Sequence, residues 1–347
     1  MVKRLRKRFY GLLLLLCLIL SSASVQTHLA PQQFLLSTSM LHDEIIHRGI
    51  YNIGIEQQDS QDHSSFLSKL ERWYNSHPLI EFASLIGTSI TVKFFDGSYV
   101  VIMDPFQIEN RDILDTTSTF LHEMYGIKNE KSAVLLNTAE YMYGHRQCQN
   151  IITTLLRHEY SIEYLANGAV DLSYLRHNLS ADVIYMNTHA GFFDVNGDHQ
   201  ADAVVIATGE FWTNETEQKY AFEYQNKLII KGMVGNQSFV GFTPAFIDYY
   251  YNPGDFPDSL VYMATCFAAY DVSMAQEFLD AGASVYVGWS QDTVFWTNSK
   301  TSVNAFRLLA NGFVVQQVCG LIGSGGFYNW LFHSKLIYYG DGEHRIP

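Results

Sequence analysis

The chain has 347 residues and is acidic, with 35 Asp and Glu residues against 22 Lys and Arg residues and a formal net charge of −13. Such a chain is a poor match for nucleic acid or for an anionic membrane surface. Apolar residues make up 48% of the sequence and aromatic residues 14%, which excludes a disordered protein and predicts a large buried core.

The first 24 residues are typical of a secretory signal peptide. A basic start is followed by the apolar run 11–20 and by small residues at 21–24. The run is shorter than the roughly 20 apolar residues that a membrane-spanning helix needs. We therefore expect a secreted, extracellular protein. If the segment is not cleaved, it would anchor the protein at the outer cell surface, and only then is a membrane a partner.

Residues 25–131 are predicted to form a smaller N-terminal α+β region. Apolar spacing predicts a helix over 66–75, and alternation on both sides of Asp96-Gly97 predicts a hairpin over 89–103. A second helix is expected over 116–124. The polar stretch 126–131 predicts a domain boundary. Release of the whole region as a prodomain, by cleavage near Lys128 or Lys131, is a hypothesis.

From residue 132 to residue 347, predicted strands and helices alternate along the chain. This alternation predicts an α/β fold in which a mainly parallel sheet is flanked by helices. The predicted strands are 132–138, 161–165, 182–188, 203–208, 259–265 and 283–289, and the predicted helices are 144–159, 171–178, 272–281 and 298–309.

Two of these strands end at residue types that carry out chemistry. His189 follows the apolar run 182–188, and Cys266 follows the run 259–265. In an open α/β sheet the ligand crevice lies beyond the carboxyl ends of the strands, so an imidazole and a thiol can meet there. Either residue alone is more simply explained as part of the core. The matching placement of both favours a catalytic pair.

A cysteine peptidase needs a thiolate, a proton carrier and hydrogen-bond donors for the oxyanion. We assign Cys266 as the nucleophile and His189 as the general acid and base. The helix predicted from residue 272 would favour the thiolate through its dipole. Backbone N–H groups at Ala190, Gly191 and Cys266 would bind the oxyanion. This chemistry requires no cofactor.

The two strand ends and the segments after them resemble the caspase–legumain–gingipain superfamily (clan CD) of cysteine peptidases, and most closely the gingipain family and the related CHAT peptidases. Besides the strand ends, the resemblance rests on the segments 273–279, 281–283, 285–290, 308–312 and 339–341. It covers about residues 132–347. It implies a caspase-like fold, a His189/Cys266 dyad, and a polypeptide substrate cleaved through a thioester acyl-enzyme.

The chain departs from the pattern of this family at three points. Ala190 stands between the His and the Gly, Thr265 replaces the usual Ala before the Cys, and 77 residues separate His189 from Cys266 (266 − 189). The alternative function is therefore a catalytically inactive, peptidase-like binding or adhesion module stabilised by calcium.

In relatives, the loop after the strand that follows the Cys strand helps to form the pocket for the side chain before the scissile bond. Here this loop contains Trp289, Asp292 and Trp296. Asp292 would receive an Arg or Lys side chain, and Trp296 would flank it. A surface carboxylate beside a core tryptophan explains the same residues equally well.

Oxygen-bearing residues alternate shortly after His189, as in the first part of a calcium loop. They are Asp194, Asn196, Asp198, the carbonyl of Gln200, and Asp202. The match is incomplete, because His199 occupies the position of the turn glycine and Val205 that of a bidentate Glu. Two interpretations of this segment are open, a structural calcium site and a solvated turn without a metal.

Three cysteines follow the signal segment, an odd number for an oxidising compartment. We expect a disulfide between Cys148 and Cys319, which leaves Cys266 free to react. Three unpaired thiols are the alternative.

Overall fold

The structure is a computed structural model that describes residues 31–56, 63–105, 120–125, 130–324, 326, 329 and 333–347. The predicted signal peptide and Lys128 lie outside the described residues. The chain divides into two units, one formed by Met1–Ala83 with Val92–Ser98 and the other by Ser84–Thr91 with Tyr99–Pro347.

The first unit is built on two helices, α1 (Pro31–Glu56) and α2 (His63–Ser76). The Tyr74 hydroxyl donates a hydrogen bond to the backbone carbonyl of Ile46 at 2.8 Å. Helical spacing brings the apolar side chains of α2 to one buried face, so the helix predicted over 66–75 is confirmed. The buried residues are Phe66, Leu67, Leu70 and Tyr74.

Strands β1 (Ile80–Ile86) and β2 (Ser89–Phe94) cross from one unit to the other, and β3 (Tyr99–Asp104) follows. Gly97 has a φ of 91° in the turn between β2 and β3, a conformation that glycine adopts without steric cost. The hairpin predicted over 89–103 is confirmed.

The second unit continues with strands and helices in alternation. Its further strands are β4 (Phe120–Tyr125), β5 (Ser132–Asn137), β6 (Ser161–Asn167), β7 (Val183–Asn187), β8 (Ala190–Phe193), β9 (Ala203–Phe211), β10 (Ile229–Val234), β11 (Gln237–Phe242), β12 (Leu260–Ala264), β13 (Val285–Trp289) and β14 (Leu336–Gly340). Its helices are α3 (Glu140–Tyr143), α4 (Arg146–Leu156), α5 (Leu172–His177), α6 (Asn214–Lys219), α7 (Ala221–Gln225), α8 (Pro244–Tyr250), α9 (Ser273–Asp280), α10 (Phe295–Ala310) and α11 (Val315–Ile322).

The described strands form two seven-stranded sheets. The first has the order β1-β2-β3-β10-β11-β9-β8, with β3 and β10 parallel and the pairs from β10 to β8 antiparallel. The second has the order β14-β13-β12-β7-β5-β6-β4. Its five central strands are parallel, and the edge strands β4 and β14 are antiparallel to their neighbours. The predicted mainly parallel sheet flanked by helices is confirmed.

Side chains alternate between the two faces of the second sheet, as strand geometry requires. Tyr185 and Tyr262 belong to the core that includes α4, α10 and α11. Their neighbours Met186 and Met263 belong to the other core, together with α5, α8, α9 and strands of the first sheet. The strands are buried on both faces, which explains their continuous apolar runs.

One expectation about residues 116–131 does not hold. The described part of the helix predicted over 116–124 is instead strand β4, because residues 120–125 pair with β6 along their whole length. The two compact units divide at positions other than Lys131, and β3 pairs with β10 and β4 with β6. The domain boundary near Lys131 stays a prediction. A cut near Lys131 would leave both strands held by main-chain hydrogen bonds.

None of the described helices combines the length and the apolarity that crossing a bilayer requires.

Candidate active site

His189 and Cys266 leave neighbouring parallel strands at the same level. The last residues that β7 and β12 pair with each other are Asn187 and Ala264, and each functional residue comes two positions later. Adjacent strands lie about 4.8 Å apart. Both residues are partly exposed. The structure therefore places the predicted pair just beyond the carboxyl ends of two neighbouring strands, on the same edge of the sheet.

The strand order arranges further groups in a row along this edge. Asp292 follows β13, Cys266 follows β12, His189 follows β7, and Tyr143 follows β5 in the adjoining short helix. The order in which strands are added to the sheet reverses between β5 and β7, because β6 lies on one side of β5 and β7 on the other. Such a switch point is where open α/β sheets bind ligands.

The Cys266 thiol is held by the loop after β13. Sγ donates to Oδ1 of Asp292 at 2.9 Å, and it lies 3.3 Å from both the backbone nitrogen and the backbone oxygen of Thr293. The next residue, Phe267, has a φ of 58°, which is rare for a bulky side chain. Its ring is buried against Phe192 at 4.6 Å between centroids. This packing holds the strained turn that presents Cys266 at the strand end.

The electrostatics of the site keep the thiol neutral. Burial raises the pKa of the Cys266 thiol well above its ordinary value, and the nearby carboxylates of Asp292 and Asp104 raise it further. Burial also raises the pKa of Asp292, and Asp104 adds to that effect. The helix expected to favour the thiolate begins at Ser273, and its influence stays a prediction. Asp292 contacts the sulfur directly and opposes ionisation of the thiol.

The imidazole of His189 is also neutral at pH 7. Burial lowers its pKa below the ordinary value, although Asp104 opposes this by stabilising the imidazolium. The hydroxyl of Tyr143 lies 3.4 Å from Nε2 of His189. The ring of Tyr143 stacks on Phe295 with 4.0 Å between centroids. The Tyr143 hydroxyl therefore lies within hydrogen-bond distance of the imidazole, and the stacking on Phe295 holds the ring of Tyr143.

A buried polar layer ties the strand ends together beneath the site. The Asn298 side chain donates to the carbonyl of Ala264 at 2.9 Å and accepts from Nε1 of Trp289 at 2.9 Å. Asn187 donates to Oδ1 of Asn137 at 2.8 Å. These bonds satisfy polar groups that would otherwise be buried without partners, and they fix the ends of four adjacent strands.

Ala190 and Gly191 form the start of β8, where they pair with Ile206 and Val205. Both are buried. Gly191 is needed for close packing, because a Cβ there would lie 3.0 Å from side-chain atoms of Met103 and Val101. Their role as oxyanion donors stays a prediction.

The structure places the three residues predicted for the substrate pocket in three different surroundings. Asp292 is at the site, in contact with Cys266. Trp289 is completely buried in β13 and cannot line a pocket. Its side chain lies on the face of the sheet that packs against α10. Trp296 is 61% exposed and lines a groove between α4 and α10.

The proposed calcium loop is closed by its own backbone. The carboxylate of Asp194 is buried and accepts from the N–H groups of Asn196, Gly197 and His199. Further along, Asn196, Asp198 and Asp202 accept from the N–H groups of Asp198, Gln200 and Val195 respectively. Among the described residues, no three His, Cys, Asp or Glu side chains converge as metal ligands do. Calcium binding stays a prediction.

The expected disulfide between Cys148 and Cys319 is absent, and all three cysteines that the structure describes are free thiols. Burial raises the pKa of Cys319 to about 12 and that of Cys148 still further. These raised pKa values disfavour the thiolate form at both positions, of which Cys148 is buried and Cys319 partly buried.

Comparison with known proteins gives no assignment: no protein family, no curated protein and no solved structure matches the chain.

Sequence reasoning missed Asp104 and Tyr143. Asp104 ends the apolar strand β3, which is the same signal that identified His189 and Cys266. No local signal marks Tyr143, because its role depends on the approach of β5 to β7.

Proposed function

We propose that the protein is a secreted cysteine endopeptidase of caspase-like architecture, with Cys266 as nucleophile and His189 as general acid and base. The observation that carries the proposal is the register of β7 and β12. Asn187 pairs with Ala264, and His189 and Cys266 each follow two positions later. The switch point beside β7 and the turn at Phe267 support it.

The free site contains a neutral thiol and a neutral imidazole, so the proton must move during attack. As Sγ forms its bond to the scissile carbonyl carbon, the thiol proton leaves its hydrogen bond to Asp292 and passes to His189. The imidazolium then protonates the leaving amine as the carbon–nitrogen bond breaks, which gives a thioester. Water hydrolyses the thioester with His189 again accepting a proton. Asp104 would stabilise the transient imidazolium, because it favours the charged form of His189.

A basic side chain before the scissile bond fits this site best. Asp292 and Asp104 both raise the pKa of Cys266, so negative charge lies near the sulfur. An Arg or Lys side chain bound between them would offset this charge and favour ionisation of the thiol. Profiling with a peptide library should therefore show Arg or Lys at this position. Preference for an acidic or apolar residue would contradict the assignment.

The raised pKa of Cys266 also favours the second candidate function, a catalytically inactive binding or adhesion module, because a neutral thiol is a weak nucleophile. An electrophilic activity-based probe with a P1 Arg separates the two. We expect labelling of the wild type at Cys266 and its loss in both Cys266→Ala and His189→Ala. Labelling that survives His189→Ala would rule out the dyad, and no labelling of correctly folded wild type would favour the inactive module.

A further inference from the structure

A groove of about 440 Å³ runs between α4 and α10, away from the proposed active site. Tyr143 and Phe295 form its upper end, and Tyr143 is the residue whose hydroxyl lies 3.4 Å from His189. This end of the groove therefore lies beside His189, and Tyr143 follows β5, which lies on the side of β7 opposite to β12.

The groove is cationic although the whole protein is acidic. Helices α4 and α10 contain three basic residues, Arg146, Lys300 and Arg307, and no Asp or Glu. All three side chains are exposed and line the groove. None of them forms an ion pair with a carboxylate of the residues that the structure describes. In a chain of net charge −13, this concentration of uncompensated cations is a marked local reversal of sign.

An aromatic surface completes the groove. Trp296 is 61% exposed, an unusual exposure for the largest apolar side chain, and it neighbours Phe295 at the end close to His189. Aromatic residues combined with basic residues suit a polypeptide that contributes both apolar contacts and carboxylates. The three cations are spread along the groove over α10 and the start of α4, which suits an extended chain with several carboxylates.

We infer that the groove between α4 and α10 binds an acidic polypeptide segment on the leaving-group side of the substrate. This inference rests on the proposed function, because His189 protonates the leaving amine and the chain that follows the amine passes over His189 toward Tyr143. The substrate would thus be a protein in which a basic residue is followed by an acidic stretch.

The test measures binding apart from catalysis, with full-length protein carrying Cys266→Ala. Fluorescein-labelled peptides share a central Arg and differ in the flank after it, which is either Asp/Glu-rich or the matched Asn/Gln-rich sequence. Binding is followed by anisotropy. We expect the peptide with the acidic flank to bind at least about tenfold more tightly than the peptide with the Asn/Gln-rich flank. Each cation that binds a carboxylate contributes a factor of up to roughly 5. The advantage should shrink with added salt.

Substitutions then locate the effect. The triple variant Arg146→Ala, Lys300→Ala, Arg307→Ala should lose the preference for the acidic flank, whereas Arg157→Ala should keep it. Arg157 is the matched control, since it is an exposed cation at the far end of α4 outside the groove. Thermal melting of each variant establishes that it is folded, and Lys300→Arg should restore binding if Lys300→Ala alone weakens it.

Equal affinity for the two flanks, or a preference that survives in the triple variant, would overturn the inference. A stronger gain from an acidic flank placed before the Arg would also overturn it. The proposed function is tested separately by probe labelling of wild-type Cys266. If the groove binds acidic peptides but the probe never labels Cys266, the binding inference stands and the peptidase proposal is refuted.

Discussion

Replacing Asp292 by Asn tests the electrostatic control of the nucleophile. Asp292→Asn keeps the shape of the side chain and removes its charge, which lies 2.9 Å from Sγ of Cys266. At that distance a thiolate and a carboxylate repel each other by about 1.4 kcal/mol at a dielectric constant of ~80, and by about 6 kcal/mol at ~20. Removing the repulsion increases the thiolate population at pH 7.

Part of this gain is lost, because a more stable thiolate is a weaker nucleophile. With a Brønsted coefficient of about 0.5, roughly half of the free energy appears in the rate. We therefore expect iodoacetamide to alkylate Cys266 of Asp292→Asn about 3-fold to 100-fold faster at pH 7 than in the wild type. Peptide mapping by mass spectrometry identifies Cys266 as the labelled thiol.

The matched control is Asp280→Asn, which removes the same charge from an exposed position at the end of α9. It should leave the alkylation rate unchanged. An unchanged or slower rate in Asp292→Asn would refute the reasoning. It would mean that the Asp292 carboxylate accepts the thiol proton during alkylation instead of opposing ionisation.

Three further outcomes are expected. Asn298→Ala should lower the free energy of unfolding in urea by about 1–3 kcal/mol, because it leaves the buried N–H of Trp289 and a strand carbonyl without partners. Acid should destabilise the protein through His189, whose pKa is lowered in the folded state. This contribution is fully present above the unfolded pKa of about 6.5 and is lost as pH falls toward the folded value, so His189→Gln should flatten urea stability between pH 7.5 and 5. Calcium added to chelator-treated protein should release heat and raise the melting temperature, and Asp194→Asn should abolish both effects.

Each of these outcomes has a control. Asn304→Ala removes the same residue type from the same helix at a less buried position and should change stability little. An acid-induced loss of stability that is identical in His189→Gln would assign it to other histidines, such as His344, whose pKa burial also lowers. If calcium addition releases no heat and leaves the melting temperature unchanged, the prediction of a calcium site is wrong.

Patterns along the sequence were sufficient to predict the elements that depend on local turn chemistry or on the spacing of apolar residues. The hairpin at Asp96-Gly97 follows from turn chemistry, and helix α2 follows from the spacing of Phe66, Leu67, Leu70 and Tyr74. The parallel sheet follows from continuous apolar runs alternating with helices. Because the carboxyl ends of parallel strands share one edge, the same runs also predicted that His189 and Cys266 follow strand ends on one edge, and their strands are neighbours in the sheet.

Tertiary structure alone decided what depends on pairing between distant segments. Residues 120–125 are a strand because β6 offers an edge for them, although their own sequence favours a helix. Trp289 is in the core because of its position in β13, and Asp292 reaches the sulfur because the following loop turns back over β12. The protonation states of the site could not be predicted from sequence, since burial and the distances to Asp104 and Asp292 set them.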